Sequence, residues 1–243
     1  MPSTITDKEY FRQQLILAKR CIIGRLSGRD ESSVLVGIEK PYRTLFDTLE
    51  RTIKYGESNS VMVLGPKSSG KSTMIKKVIS DLELNYNQEN EQNYYIVKLS
   101  GLIHSTDRIA LKSIASQLHQ NMNIEDTIID STPVIFILEN FELFAMQPRQ
   151  LLLYTLLDIA QSRQAPVAIV GVTNRMNVID LLEKRVKSRF SHRQILVPLV
   201  SSSEEFLMIA YKNLLLPTDL YDIDQGFIAY FNSKIKLLMY FKF

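Results

Sequence analysis

Short apolar runs alternate with helical periodicities along most of the chain. The runs are Val61-Met62-Val63-Leu64, Tyr94-Tyr95-Ile96-Val97, Val134 to Leu138, Pro166 to Val172 and Gln194-Ile195-Leu196-Val197. Each is too short for a helix and too continuously apolar for a strand with one wet face. Such runs read as strands buried on both sides, the condition of a parallel sheet. Between them lie helical patterns at about 71–83, 107–121, 148–161 and 179–188. In the second, Leu111, Ile114, Ala115 and Leu118 follow the i, i+3, i+4, i+7 spacing of one helix face. Strand–helix alternation of this kind predicts a layered α/β fold, a parallel sheet with helices on both faces.

The first sixty residues are helical instead. Thr6-Asp7-Lys8-Glu9 has the form of a capping box, with a helix to follow through Phe11, Leu15, Ala18 and Ile22. Gly24 to Ser33 is polar and reads as a linker. A second helix runs from about Pro41 with Tyr42, Leu45, Leu49 and Ile53 as its stripe, and Gly56 is placed to cap it. Asn85 to Asn93 reads as a polar loop, Ser203 to Leu215 as a further helix. The aromatic residues of 227–243 read as core or tail residues rather than as a platform for stacking bases.

Composition narrows the class. Hydrophobic residues make up 45% and charged residues 23% of 243 residues, ordinary for a globular chain and unlike collagen or disordered sequences. The length suffices for one large domain or two modest ones without disulfides. A single cysteine, Cys21, excludes an internal disulfide and suits a reducing interior such as cytosol or nucleus. The first ten residues mix Asp7, Lys8 and Glu9, unlike a signal peptide, and no stretch approaches the ~20 apolar residues that span a bilayer. The net charge of +3 is too small to argue for nucleic acid by itself. His104, His119 and His192 are scattered without metal-ligand spacing.

The strongest chemical signal is Gly65-Pro66-Lys67-Ser68-Ser69-Gly70-Lys71-Ser72, which matches G-x-x-x-x-G-K-[ST]. Glycines let the backbone curl so that its N–H groups face phosphate oxygens. Lys71 brings a positive charge to the β- and γ-phosphates, and Ser72 offers a hydroxyl to Mg²⁺. A bland Gly/Ser turn with a surface lysine is the competing reading. The motif follows a predicted strand and opens a predicted helix, as a phosphate-binding loop requires, so ATP with Mg²⁺ is the expected cofactor pair.

A nucleotide-hydrolysing site of this type also needs an acid at the end of a second strand to hold Mg²⁺, then a glutamate that activates water. The third predicted strand ends in Glu139-Asn140-Phe141-Glu142. Glu139 takes the metal position, against the plain alternative of an exposed acid at a strand end. Asn140 falls where the base should be, and an amide cannot accept a proton as a carboxylate does. Weak or absent intrinsic hydrolysis follows. Glu142 is expected to point elsewhere. Asn174, just past the fourth strand, is either a sensor beside the nucleotide or a turn residue.

Lys184 to Arg193 is the densest basic stretch. Three readings compete: a solvated helix face, a DNA phosphate patch, or an arginine that completes a neighbouring subunit's ATP site. Arg185 and Arg189 are four apart and share one helix face.

The residues Gly56 to Ser60, Val134 to Ala145 and Leu181 to Arg193 resemble the AAA+ initiator ATPases, the class that forms the eukaryotic origin recognition complex. The likeness covers roughly residues 1–216. It implies a P-loop NTPase fold, an AAA+ base with a five-stranded parallel sheet of order 5-1-4-3-2. Residues 34–200 would be that base, 1–33 an N-terminal helix and linker, and 201–243 the start of a helical lid with a tail that matches no part of the family. The remainder of the lid, its second sensor arginine and a winged helix are expected to be absent. Gly65 to Ser72 would hold ATP, Ser72 and Glu139 the Mg²⁺, and Val36 and Gly37 would open the adenine pocket. Asn174 becomes the sensor, Arg189 the finger acting in trans, and Arg185 its support. Leu102 to Leu118 matches the helix with which initiators contact DNA, with Arg108 and Lys112 as phosphate contacts. The resemblance also implies other complex subunits, double-stranded DNA and helicase-loading factors as partners, no membrane, and a nuclear location. Departures are Asn140 and a short connection from Gln120 to Thr132, where the family places another helix. A self-sufficient ATPase or motor, and an inactive fragment, remain the alternatives.

Overall fold

The computed structural model describes residues 4–27, 35–87, 93–121, 132–162, 165–218 and 222–240. They form two compact units. Residues 38–199 make one, and residues 1–37 with 200–243 make the other.

The larger unit is a three-layer α/β/α structure. Its strands are β1 (Asn59–Leu64), β2 (Tyr95–Ser100), β3 (Val134–Glu139), β4 (Val167–Thr173) and β5 (Arg193–Leu196). All pair in parallel in the order β2-β3-β4-β1-β5, the predicted order read from its other edge. Every residue of β1 and β4 is buried, which explains their unbroken apolar runs. Side chains alternate across the sheet. Met62, Leu64, Phe136, Leu138, Val167 and Ile169 join one core with Phe141, Leu153, Leu156, Val186 and Phe190. Their neighbours Val61, Val63, Ile135, Ile137, Ala168 and Val170 are buried on the opposite face.

The helices of this unit are α2 (Glu39–Tyr55), α3 (Lys71–Tyr86), α4 (Asp107–Asn121), α5 (Phe141–Ala145), α6 (Leu151–Ser162) and α7 (Lys184–Lys187). Gly56 caps α2 in the left-handed conformation, as expected. Edge strand β2 is closed by a side chain from α4. Gln117 Oε1 accepts from the Lys98 N–H at 2.9 Å and Gln117 Nε2 donates to the Lys98 carbonyl at 2.9 Å.

Two predicted helices are broken. The pattern at 148–161 begins as a 3-10 turn, Pro148–Gln150, and becomes helical only from Leu151. Arg149 and Gln150 there have φ of 65° and 40°. The pattern at 179–188 splits into a 3-10 turn, Val178–Leu181, and the short α7, with extended backbone at Leu182 and Glu183 between them. The cause is a buried side chain from outside the segment. Gln150 Nε2 donates to the Leu181 carbonyl at 2.7 Å, and its Oε1 accepts from the Glu183 N–H at 3.0 Å. A continuous helix would need both backbone groups for itself.

The smaller unit comprises α1 (Thr4–Leu26), α8 (Ser203–Leu214) and α9 (Gln225–Tyr240). α1 starts two residues before the expected cap at Thr6 and runs through Gly24 to Leu26, where a linker was expected. Residues 225–240 of the tail form α9, which packs into this unit. Ala18 of α1 packs in one cluster with Leu216, Ile223, Phe227 and Ile228, and Phe11 meets Phe227 edge-on at 5.2 Å between ring centres. Arg25 donates to the Leu215 carbonyl at 2.6 Å. The rest of the expected 24–33 linker and most of the 120–132 connection lie outside the described residues, as do residues 88–92 of the polar loop.

Candidate nucleotide site and arginine segment

Three predicted site components meet at one edge of the sheet. Strands β3, β4 and β1 are neighbours and parallel, so their C-terminal ends lie side by side. Gly65 follows β1, Asn174 follows β4 and Glu139 ends β3.

Gly65 to Gly70 have the shape of a backbone cradle. A Cβ on Gly65 would lie 2.4 Å from the Val197 carbonyl oxygen and 2.8 Å from Ser69 Oγ, so only glycine fits. Ser68 and Gly70 take φ of 63° and 89°, which turns successive N–H groups inward. α3 then opens at Lys71 and points its positive dipole end at the cradle. Lys71 is buried. Its Nζ donates to the carbonyls of Gly65 at 2.7 Å and Pro66 at 2.5 Å, and to Ser69 Oγ at 3.4 Å. Burial pushes its pKa down, and the carboxylate of Glu142 partly offsets this. A desolvated ammonium at a helix N-terminus, bonded here to the loop's own oxygens, fits a polyphosphate whose oxygens would take their place. Lys67, Ser68 and Ser72 are exposed at the rim. Ser72 and Glu139 are both exposed, at the start of α3 and the end of β3. Val36 and Gly37 belong to the smaller unit, directly before Ile38.

Asn140 takes φ of 53°, which asparagine tolerates, and its Oδ1 accepts from Ser100 Oγ at 3.4 Å. Glu142 corrects the expectation. It does not point away: its Oε2 accepts from Thr173 Oγ1 at 2.6 Å, at the end of β4, and it acts electrostatically on Lys71. Thr173 Oγ1 in turn accepts from the Arg175 N–H at 3.0 Å. The left-handed turn at Asn140 redirects the side chain two residues on, and no residue pattern marks that turn.

The arginines lie on the segment that leads from the end of β4 back to the start of β5. Ser191 N donates to Ser60 Oγ at 2.9 Å, which ties the segment to the start of β1, whereas the cradle follows its end. The length of β1, roughly 16 Å for a six-residue strand, separates that tie from the cradle. Arg189 falls just past α7 but still shares a side with Arg185. Its Nε donates to Asp158 at 2.7 Å, one Nη to Tyr154 Oη at 2.9 Å and the other to the Arg185 carbonyl at 2.9 Å. Both guanidinium groups cover the Tyr154 ring, at 4.3 Å for Arg189 and 5.3 Å for Arg185. Asp158 pushes the Arg189 pKa further up. Arg185 pairs with Glu183 at 2.8 Å and donates to the Arg149 carbonyl. Neither Asp158 nor Tyr154 is marked as a partner by the sequence.

Arg108 and Lys112 are exposed on one side of α4, and among the described residues neither forms an ion pair. The turn before them exposes Leu102 and Ile103. Among the described residues, no helix is long and apolar enough to cross a membrane.

Comparison with known proteins agrees with this geometry. Residues 61–198 match the model of the AAA family, ATPases associated with various cellular activities. Origin recognition complex subunit 4 of Mus musculus is 36% identical over 98% of this chain and 58% of its own length. The Xenopus laevis subunit 4 is 40% identical over 84% of this chain and 51% of its own. The chain thus spans about half the length of the curated relatives it matches. Among solved structures, Drosophila ORC bound to DNA superposes with a TM-score of 0.59 at 15% identity, over 91% of this chain and 55% of that one. The Aeropyrum pernix ORC1 protein in complex with DNA gives 0.58 at 17%, over 86% and 60%. These two likenesses support the fold alone. With a family model over more than half of the chain and this level of identity and coverage, the chain belongs to the origin recognition complex subunit 4 family of AAA ATPases.

Proposed function

We propose that this chain is an ATP-binding subunit of an origin recognition complex that holds Mg-ATP without efficient turnover and completes the ATP site of a neighbouring subunit. One observation carries this reading: Arg189 is held by Asp158 and Tyr154 of α6 rather than by any group of the cradle. An arginine held apart from its own phosphate-binding loop is available to a second subunit docked beside it. Arg189 is pre-shaped for the task by Tyr154 and Asp158, which limit its rotamers before a partner arrives.

Within the cradle, Gly65 to Gly70 supply N–H groups, Lys71 the charge, Ser72 and Glu139 the metal-side oxygens, and Asn174 the polar contact past β4. Mg²⁺, when bound, neutralises phosphate charge. Asn140 offers no carboxylate to take a proton from water, which supports slow or absent hydrolysis by the chain itself. Residues 34–200 are read as the ATPase base and 201–243 as the start of the lid, with Val36 and Gly37 beside adenine. Arg108 and Lys112 are read as contacts to duplex phosphates. Other complex subunits, helicase-loading factors and a nuclear location complete the assignment.

The test uses a fluorescent ATP analogue and the reconstituted complex. Lys71→Ala should weaken analogue binding to this chain by roughly 10–150-fold, while Arg189→Ala should leave that binding intact and slow a neighbour's hydrolysis. Unchanged hydrolysis in the Arg189→Ala complex would sink the trans assignment. Turnover by the isolated chain well above a Lys71→Ala control would favour a self-sufficient ATPase.

A further inference from the structure

α5 is a helix of little more than one turn, and left-handed residues stand on both sides of it. Asn140 precedes it with φ of 53°, and Arg149 and Gln150 follow a few residues later with φ of 65° and 40°. Two consecutive left-handed residues that are neither glycine nor asparagine are held only where their surroundings over-determine them. Here the surroundings are the side chain of Gln150 itself. It is buried at 4% exposure, and both ends of its amide are engaged. Nε2 donates to the carbonyl of Ala145, the last residue of α5, at 2.5 Å, and to the Leu181 carbonyl at 2.7 Å. Oε1 accepts from the Glu183 N–H at 3.0 Å, directly before α7. Arg185 of α7 donates back to the carbonyl of Arg149, closing a ring of contacts.

Both ends of this ring reach functional groups. α5 carries Glu142 in its first turn, bonded to Thr173 and coupled electrostatically to Lys71 in the cradle. α7 carries Arg185, whose carbonyl accepts from Arg189. A single amide therefore joins the rigid piece that faces the phosphates to the rigid piece that presents the arginines. A polar side chain with every bond made is costly to disturb at one point only, so its three partners move together.

We propose that Gln150 is a positioning residue that links occupancy of this chain's own nucleotide site to the placement of the Arg185–Arg189 segment. Triphosphate arriving at Lys71 alters the field at Glu142, α5 shifts on its left-handed hinges, and the amide carries the shift to Glu183 and α7. The inference rests on the nucleotide-binding reading but not on the trans role of Arg189.

Hydrogen–deuterium exchange of the full chain, with and without Mg-ATP, tests it. ATP should protect peptides of the cradle and also change exchange of the Lys184–Phe190 amides by about threefold or more. In Gln150→Glu, which keeps an acceptor for Glu183 but loses the donors to Ala145 and Leu181, cradle protection should persist while the response of α7 disappears. Arg149→Gly keeps the amide bonds and should retain the response. Cradle protection in the wild-type chain with α7 unmoved would overturn the link and leave nucleotide binding standing. No protection anywhere would overturn both. The wild-type comparison decides even if Gln150→Glu fails to fold, and a response that survives in a folded Gln150→Glu chain would assign the coupling to another route and overturn the role of Gln150.

Discussion

The phosphate cradle and the arginine segment use opposite strategies to place a cation. In the cradle, the backbone does the shaping. Eight consecutive residues supply the turn, and Lys71 bonds to carbonyls five and six positions before it. In the arginine segment, side chains do the shaping, and they arrive from far along the chain: Asp158 and Tyr154 lie 31 and 35 positions from Arg189, and Gln150 lies 33 from Glu183. The first device tolerates no change of backbone and little of sequence spacing. The second can be retuned by single side chains, which suits a surface that must fit a partner.

The difference can be broken open by mutation. The largest effect should come from Arg189→Ala in the assembled complex, about a 10³-fold loss of a neighbouring site's turnover by the usual worth of such a residue, read by phosphate release. Lys71→Ala comes next, weakening nucleotide binding by roughly 10–150-fold, the worth of a charge-assisted hydrogen bond, read by titration of a fluorescent analogue. Gly65→Ala tests the backbone strategy directly. Its new methyl has to displace the Val197 carbonyl, so about 1–3 kcal/mol of stability should vanish together with nucleotide binding, measured by urea unfolding with and without ATP. Tyr154→Phe tests the side-chain strategy at its mildest. It keeps the ring under both guanidiniums and removes only the hydroxyl bond to Arg189, so neighbour turnover should fall a few-fold, about 0.5–1.5 kcal/mol. A drop as large as that of Arg189→Ala would show that orientation, not charge, dominates. Apart from these two regions, Arg108→Ala and Lys112→Ala should each lower the salt slope of DNA binding by about one.

The same difference decides what could be read from sequence. The strands and the cradle were legible because each depends on local spacing, a run of apolar residues or a glycine motif between strand and helix, whereas the order of the strands came only from the family resemblance. Gly65 and Gly70 announce their own geometry. The breaks at 148–150 and 182–183 were not legible, because periodicity at 179–188 is helical and only a buried amide from position 150 diverts it. Glu142 was misplaced for a related reason. Its direction depends on the left-handed turn at Asn140, which no residue pattern marks. The packing of α9 against α1 joins residues more than two hundred positions apart, beyond any local signal.

Gln117 has a consequence beyond closing a hydrogen-bond tally. An uncapped outer strand is a growth site: its free N–H and C=O groups can recruit a strand from another molecule, and a sheet so extended has no natural limit. By presenting an amide to both free groups of Lys98, one side chain imitates the next strand while offering nothing further to pair with. The β2 edge is thereby closed at Lys98 by a hydrogen-bonding side chain, which leaves less of it open to a strand from another molecule.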